Sequence, residues 1–272
     1  MKTNLRKLLS QLKRWWYRRN YHLAKLWRKR VPPAPMHYLP DGFAVHRIGA
    51  TGIRVIDNFL STDEAQRLID STNQENLDRS QIVSGGQAID DATRTSSHHI
   101  VYHRYKQDPA MLSIIARGAM LAGVPVDHAE QAYVCRYSGG DYYYGHYDFA
   151  SGFLTEHRLC TVLIYLNDVE PAHGGETFFR ELNLAVRPVT GRAVCWTNTN
   201  PDGSNHYEAM HAALPPIDSE KWVVQLWFRP YKMFNVNHAL PPLQARPGKP
   251  LSGNEQLPAG AWTITQTVDK AV

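Results

Sequence analysis

The chain has few cysteines, no long apolar run, and an opening segment without a single acidic residue. Only Cys135, Cys160 and Cys195 occur among its 272 residues. They form no C-x-x-C pair, and their odd number leaves no even disulfide framework. This excludes a disulfide-stapled secreted scaffold and suits a reducing compartment. All three fall inside strand-like runs, so buried, unpaired thiols are expected. No stretch of about 18 apolar residues exists, so no spanning helix is expected. Wholesale disorder is excluded too, because 43% hydrophobic and 20% charged residues suffice for a packed core. No internal repeat is visible.

The missing acids are those of residues 1–40, which hold eleven Lys or Arg and no Asp or Glu. The rest of the chain holds nineteen basic and twenty-five acidic side chains, so the formal +5 joins a head of +11 to a body of −6. In the head, Leu5, Leu8, Leu9, Leu12, Trp15 and Trp16 recur at helical spacing among the cations. The basic residues interrupt any apolar core of a secretory signal. Such a segment suits an amphipathic helix on an anionic membrane surface. A nucleic-acid arm with stacking aromatics fits less well, and packing on the protein's own body is the plain alternative. Val31-Pro32-Pro33-Ala34-Pro35 reads as a stiff linker. The expected organisation is a basic amphipathic arm and Pro-rich linker over 1–40, a globular domain over 41–231, and a loosely packed tail over 232–272. The expected location is cytoplasmic, peripheral at a membrane where the arm docks.

Within the globular part, 53–59 reads as a strand. Ser61 and Glu64 form the capping box of a helix whose apolar stripe is Ala65, Leu68 and Ile69. A second helix opens at Asp108-Pro109 and stops at Gly123. After residue 129 the helical period vanishes. Short β-rich runs follow at 131–137, 142–149, 159–166, 177–179, 184–189, 193–197 and 222–228, separated by Gly-rich turns. Several short strands at this spacing suggest a sandwich or barrel of the jelly-roll kind.

The most informative stretch is Gly145-His146-Tyr147-Asp148. Residues two apart in a strand share a face, so His146 and Asp148 can present an imidazole and a carboxylate to one ion. One further histidine would complete a two-His, one-carboxylate face with open positions opposite, as non-haem Fe(II) oxygenases require. His211 lies 65 residues on; His206 is its rival. Lys221 opens the otherwise apolar strand Lys221-Trp222-Val223-Val224-Gln225-Leu226-Trp227. A cation buried there needs an anion, such as the far carboxylate of a dicarboxylic cosubstrate.

The constellation His146-x-Asp148, His211 and Lys221 resembles the Fe(II)/2-oxoglutarate dioxygenases, and specifically the prolyl 4-hydroxylase catalytic domain. The run 135–141, the stretch 161–169, Gly174-Gly175-Glu176-Thr177-Phe178-Phe179, the lead-in 198–204 and the close at Lys221, Trp222 and Trp227 resemble that family in order and spacing. The resemblance spans roughly 53–230. It implies an α+β, mainly β fold: a double-stranded β-helix (jelly roll) core with N-terminal supporting helices. It implies Fe(II) on His146, Asp148 and His211, and 2-oxoglutarate held by Lys221 with Tyr137 and Thr177 assisting. It places Tyr143, Arg158 and Trp227 around the substrate, although strand parity alone favours Tyr144 over Tyr143 as facing the metal. His98 and His99 read as loop residues and not ligands. The implied reaction hydroxylates a prolyl residue in a peptide or protein, consumes O₂ and 2-oxoglutarate, and releases succinate and CO₂, with ascorbate as reductant. Asp148 favours hydroxylation over halogenation, since a halide needs the carboxylate's position. Hydroxylation of a free amino acid or other small molecule is the runner-up, and a non-catalytic jelly-roll binding module is the contrasting class.

Overall fold

The computed structural model describes residues 43–48, 51–84, 87–101, 108–149, 157–200 and 203–235. The basic head, the linker and the tail beyond 235 lie outside the described residues. No helix among the described residues is long and apolar enough to cross a membrane.

Two helices form where the caps predict them. Helix α1 spans Thr62–Asn73. Ser61 Oγ accepts from the Glu64 amide at 3.1 Å, and Glu64 Oε2 accepts from the Ser61 amide at 2.8 Å, closing the capping box. Of the expected stripe only Ala65 is fully buried; Leu68 and Ile69 are half-buried, because α1 lies at the periphery. Helix α2 spans Pro109–Ala122, with Asp108 as N-cap and Gly123 as a left-handed C-cap at φ 66°.

Antiparallel strands make up most of the rest. A large sheet is built from β1 (Ala44–Arg47), β2 (Arg54–Asp57), β3 (Asp78–Arg79), β6 (Ser97–Val101), β7 (Ala132–Ser138), β9 (Cys160–Tyr165), β12 (Ala193–Thr197) and β14 (Glu220–Phe228). Their spatial order is β1-β2-β12-β9-β14-β7-β6-β3. A small sheet has the order β11-β10-β13-β8, from β8 (Tyr143–His146), β10 (Thr177–Phe179), β11 (Leu184–Val186) and β13 (His211–Ala213). Strands β4 (Ile82–Ser84) and β5 (Gln87–Ile89) form a separate hairpin. The two sheets wrap one another as a double-stranded β-helix. His98 and His99 lie in β6, not in a loop as expected; β6 pairs β7 throughout its length.

Burial explains the strand sequences. Every residue of β9 is buried, so Cys-Thr-Val-Leu-Ile-Tyr shows no alternation. Helix α2 covers one face of the large sheet and the small sheet covers the other. Close approach of α2 to β14 depends on Gly118, where an added Cβ would meet Leu226 Cδ1 at 2.9 Å. Even-numbered residues of β14 therefore face the helix, and Lys221, Val223, Gln225 and Trp227 face the space between the sheets. The core there includes Cys135, Tyr137, Leu163, Tyr165, Phe179, Val194, Trp196 and Val223. All three cysteines are buried and free, with Cys160 Sγ 3.4 Å from Cys195 Sγ. The chain stays docked past β14: Tyr231 and Phe234 are buried, and the Met233 amide donates to the Asp127 carbonyl.

Candidate active site

His146, Asp148 and His211 converge, with ligand atoms all within 4.8 Å of one another. Register brings this about. β13 pairs β8 with His211 opposite His146, and β10 pairs β13 with Phe179 opposite His211. Asp148 lies two residues past the end of β8, in a bend, so its approach to His146 comes from the turn and not from continued strand parity. Asp148 Oδ1 is 3.6 Å from His146 Nε2, and Asp148 Oδ2 is 3.8 Å from His211 Nε2.

The histidines are held in one tautomer. His146 Nδ1 donates to the Tyr144 carbonyl at 2.8 Å, and His211 Nδ1 to the Ala209 carbonyl at 2.9 Å. A carbonyl only accepts, so each Nδ1 carries the proton and each Nε2 lone pair is free toward Asp148. Burial, with His211 adding to it, pushes the His146 imidazole down to about 3, so it stays neutral. Burial alone would raise the Asp148 carboxyl. Attraction to His211, His146 and Arg158 and the Trp227 hydrogen bond outweigh it and hold Asp148 at about 2. Two imidazoles beside a carboxylate are a donor set that suits a divalent metal.

One Asp148 oxygen is already occupied. Oδ2 accepts from Thr161 Oγ1 at 2.9 Å and from Trp227 Nε1 at 3.0 Å. Thr161 in turn accepts from Asn198 Nδ2 at 2.9 Å. Trp227 lies opposite Thr161 in the β14–β9 register, which puts both donors on one oxygen. Oδ1 remains for an ion.

Beside the triad lies a narrow recess lined by Tyr137, Thr177, Lys221, Val223 and Gln225, among others. Lys221 is 1% exposed. Its Nζ donates to the Gly175 and Leu214 carbonyls at 2.8 and 3.1 Å and sits 4.4 Å from the Tyr137 ring centroid. No carboxylate among the described residues forms an ion pair with it. Burial pushes the ammonium down to about 7, partly opposed by Glu176 and Cys135. Tyr137 faces Lys221 across β7 and β14. Tyr165 was missed by sequence reading; its hydroxyl lies 2.7 Å from Thr177 Oγ1.

On the open side a groove of about 1110 Å³ shares Tyr143, His146 and Gln225 with the recess. Tyr143 stacks on His146 at 3.6 Å between centroids. Tyr144 is instead 41% exposed and stacks on Tyr142. Simple parity fails because β8 bulges against β13: His211 pairs His146, but Ala213 pairs Tyr143. Arg158 also lines the groove, 3.9 Å over Trp227, while Glu130 binds it through two hydrogen bonds of 2.9 Å. Glu130 further binds Arg229. His206 lies apart from the triad, held by the Thr197 carbonyl at 2.8 Å and facing Glu208 at 3.5 Å. Sequence reading gave no individual role to Thr161, Asn198, Arg94 or Gln225, although the first three lie in runs that resemble the family. Their types carry no signal; strand register alone gathers them.

Two sheets wrapped around a His-Asp-His cluster, with a buried lysine along the same recess, define a 2-oxoglutarate/Fe(II) oxygenase. Residues 132–229 match the 2OG-Fe(II) oxygenase superfamily. A putative prolyl 4-hydroxylase of Acanthamoeba polyphaga mimivirus is 32% identical over 188 residues, covering 65% of this chain and 74% of the relative. Probable prolyl 4-hydroxylase 3 of Arabidopsis thaliana is 32% identical over 198 residues, covering 64% and 67%. The 2OG complex of a viral collagen prolyl hydroxylase from Paramecium bursaria Chlorella virus-1 superposes with a TM-score of 0.53 at 26% identity, over 65% of this chain and 96% of that one. The chain belongs to the prolyl 4-hydroxylase family of Fe(II)- and 2-oxoglutarate-dependent dioxygenases.

Proposed function

We propose that His146, Asp148 and His211 hold Fe(II), that Lys221 with Tyr137 and Thr177 holds 2-oxoglutarate, and that the acceptor is a prolyl residue of a peptide or protein. The observation that carries this reading is Lys221, a buried amine without a carboxylate partner among the described residues, in the recess that ends at the triad. A dicarboxylate with one end at the triad supplies the missing anion through a charge-assisted bond. When bound, the metal supplies the oxidising chemistry, in which one oxygen atom of O₂ enters the acceptor C–H bond and the other enters succinate as CO₂ leaves. The protein's part is placement. The Nδ1 bonds keep both imidazoles facing inward, and Thr161 and Trp227 hold Asp148 Oδ2, leaving Oδ1 with only the Arg158 guanidinium at 3.8 Å and the His146 ring beside it. Tyr143 and Trp227 offer aromatic surface to a proline ring.

The groove runs open from Gln81 and Ile82 past Tyr143 to Arg158 and Trp227, an extent that suits an extended peptide better than a free amino acid. Ascorbate is the reductant assigned to this reaction. The basic head serves as a docking arm for an anionic membrane surface, outside the catalytic fold. Succinate release with Fe(II), ascorbate and proline-containing peptides, together with mass spectrometry of the peptide, tests the proposal. A +16 Da shift on proline is expected. A shift confined to another residue type, or succinate without peptide oxidation, contradicts it.

A further inference from the structure

Four side chains of β14 point into the space between the sheets in sequence order: Lys221, Val223, Gln225 and Trp227. Lys221 lies in the cosubstrate recess and Trp227 in the acceptor groove, while Gln225 lines both. Gln225 is 6% exposed, so its primary amide is nearly removed from water. Register sets it between Tyr133 on β7 and Leu163 on β9, neither of which offers its amide a hydrogen bond.

The orientation of this amide is fixed by a short relay. Arg94 Nη2 donates to Cys135 Sγ at 3.9 Å, and Cys135 Sγ donates to Gln225 Oε1 at 3.7 Å. The thiol hydrogen thus points at the amide oxygen. Gln225 Nε2 is thereby turned away from Cys135, and it has no hydrogen-bond partner among the described residues. An amide N–H₂ at this junction without a protein partner is open to an acceptor on a ligand. Three other donors near this junction are engaged. Trp227 Nε1 serves Asp148, Arg158 serves Glu130, and Arg94 is shared among Gln81, Ser96 and Cys135.

A prolyl residue has no backbone N–H, so main-chain recognition of it must come from donors on the protein. We infer that Gln225 Nε2 donates to the backbone carbonyl of the acceptor residue and sets its position at the junction of groove and recess. This rests on the prolyl reading above. It makes Gln225 a recognition residue for a peptide amide. The dicarboxylate already has Lys221 at one end and the metal triad at the other.

The test is equilibrium binding of a fluorescent proline-containing peptide to the full chain, without O₂, with Mn(II) and 2-oxoglutarate present. It is repeated with the peptide whose acceptor carbonyl is a thioamide, a poor hydrogen-bond acceptor. The native protein is expected to bind the thioamide about tenfold more weakly, the effect of one lost hydrogen bond. Gln225→Met should bind the ordinary peptide about tenfold more weakly and no longer distinguish the two. Gln225→Glu, which keeps the shape and removes the donor, should do the same. Melting temperature and 2-oxoglutarate affinity, measured on each variant, report the fold. Discrimination that persists in both variants overturns the inference. So does a loss of 2-oxoglutarate affinity with peptide discrimination intact, which would give the amide to the cosubstrate. A native protein that binds no proline peptide overturns the prolyl reading itself, and is seen before any variant is made.

Discussion

Trp227 Nε1 donates to Asp148 Oδ2 at 3.0 Å, across 79 residues of chain. An aromatic residue expected at the substrate is thus bonded to a member of the metal triad. Trp227→Phe keeps a ring beneath Arg158 and against Tyr133 but removes the donor. Asp148 then retains only Thr161 on that oxygen. The expected result is an affinity for Fe(II) or Co(II) reduced by about tenfold, within the range for partners of metal-binding side chains. Thr161→Val should act in the same direction, and Thr161→Ser should restore binding. Metal titration reads this directly. Unchanged metal affinity with weakened peptide binding would confine Trp227 to the acceptor.

The triad gives a sharper contrast. His146→Ala, Asp148→Ala and His211→Ala should each bring succinate release to background and remove stoichiometric metal. His206→Ala should retain both, because its imidazole is spent on Thr197 and Glu208. Metal content by atomic absorption and succinate release decide the assignment. Loss of iron in His206→Ala with retention in His211→Ala would reverse the third ligand.

Much of this site could be read from the sequence, and the missing parts share a cause. The Ser61–Glu64 capping box and the Gly123 stop depend on neighbours within a turn, so both were legible. Strand runs with strong β-formers, such as Cys160–Tyr165 and Ala193–Thr197, were also legible. Strand β13 is only His-Ala-Ala, with little β-propensity, and β8's register to it decides which tyrosine faces His146. A bulge reverses parity for everything beyond it, and in Tyr142-Tyr143-Tyr144-Gly145 only the glycine hints at one without fixing where it falls. Thr161, Asn198 and Gln225 act through contacts across strands 13 to 90 residues apart. Their chemistry exists only once the sheet is registered.

The basic head supplies a prediction independent of the site. Eleven cations without an anion cannot all be buried, and each contributes about 1 kcal/mol near an anionic membrane surface. Removing residues 1–35 should leave succinate release with a short peptide within about twofold and abolish co-sedimentation with phosphatidylserine vesicles. Raising salt should release the intact chain from the same vesicles, as the Debye length shortens. A truncated protein that misfolds would place the Leu and Trp stripe on the catalytic domain. Binding to RNA but not to vesicles would change the partner.

If Lys221 holds the cosubstrate as proposed, binding should depend on pH. Burial lowers its ammonium from 10.5 to about 7 in the protein without 2-oxoglutarate. In the unfolded chain a lysine keeps its proton to about 10.4. Between about pH 7 and 10.4 the folded protein therefore holds fewer protons than the unfolded chain, and this group makes stability rise with pH. That contribution is full above the unfolded pKa and is lost as pH falls through about 7. A dicarboxylate prefers the charged lysine, so binding above pH 7 must draw a proton from solution. Affinity for 2-oxoglutarate should accordingly fall above pH 7, by up to about tenfold per pH unit. Calorimetry at pH 8 in two buffers of different ionisation enthalpy should show uptake approaching one proton. Lys221→Met should bind 2-oxoglutarate much more weakly and take up none. A flat affinity between pH 6.5 and 9, with no proton exchanged, would mean that Lys221 stays charged in its recess without the cosubstrate.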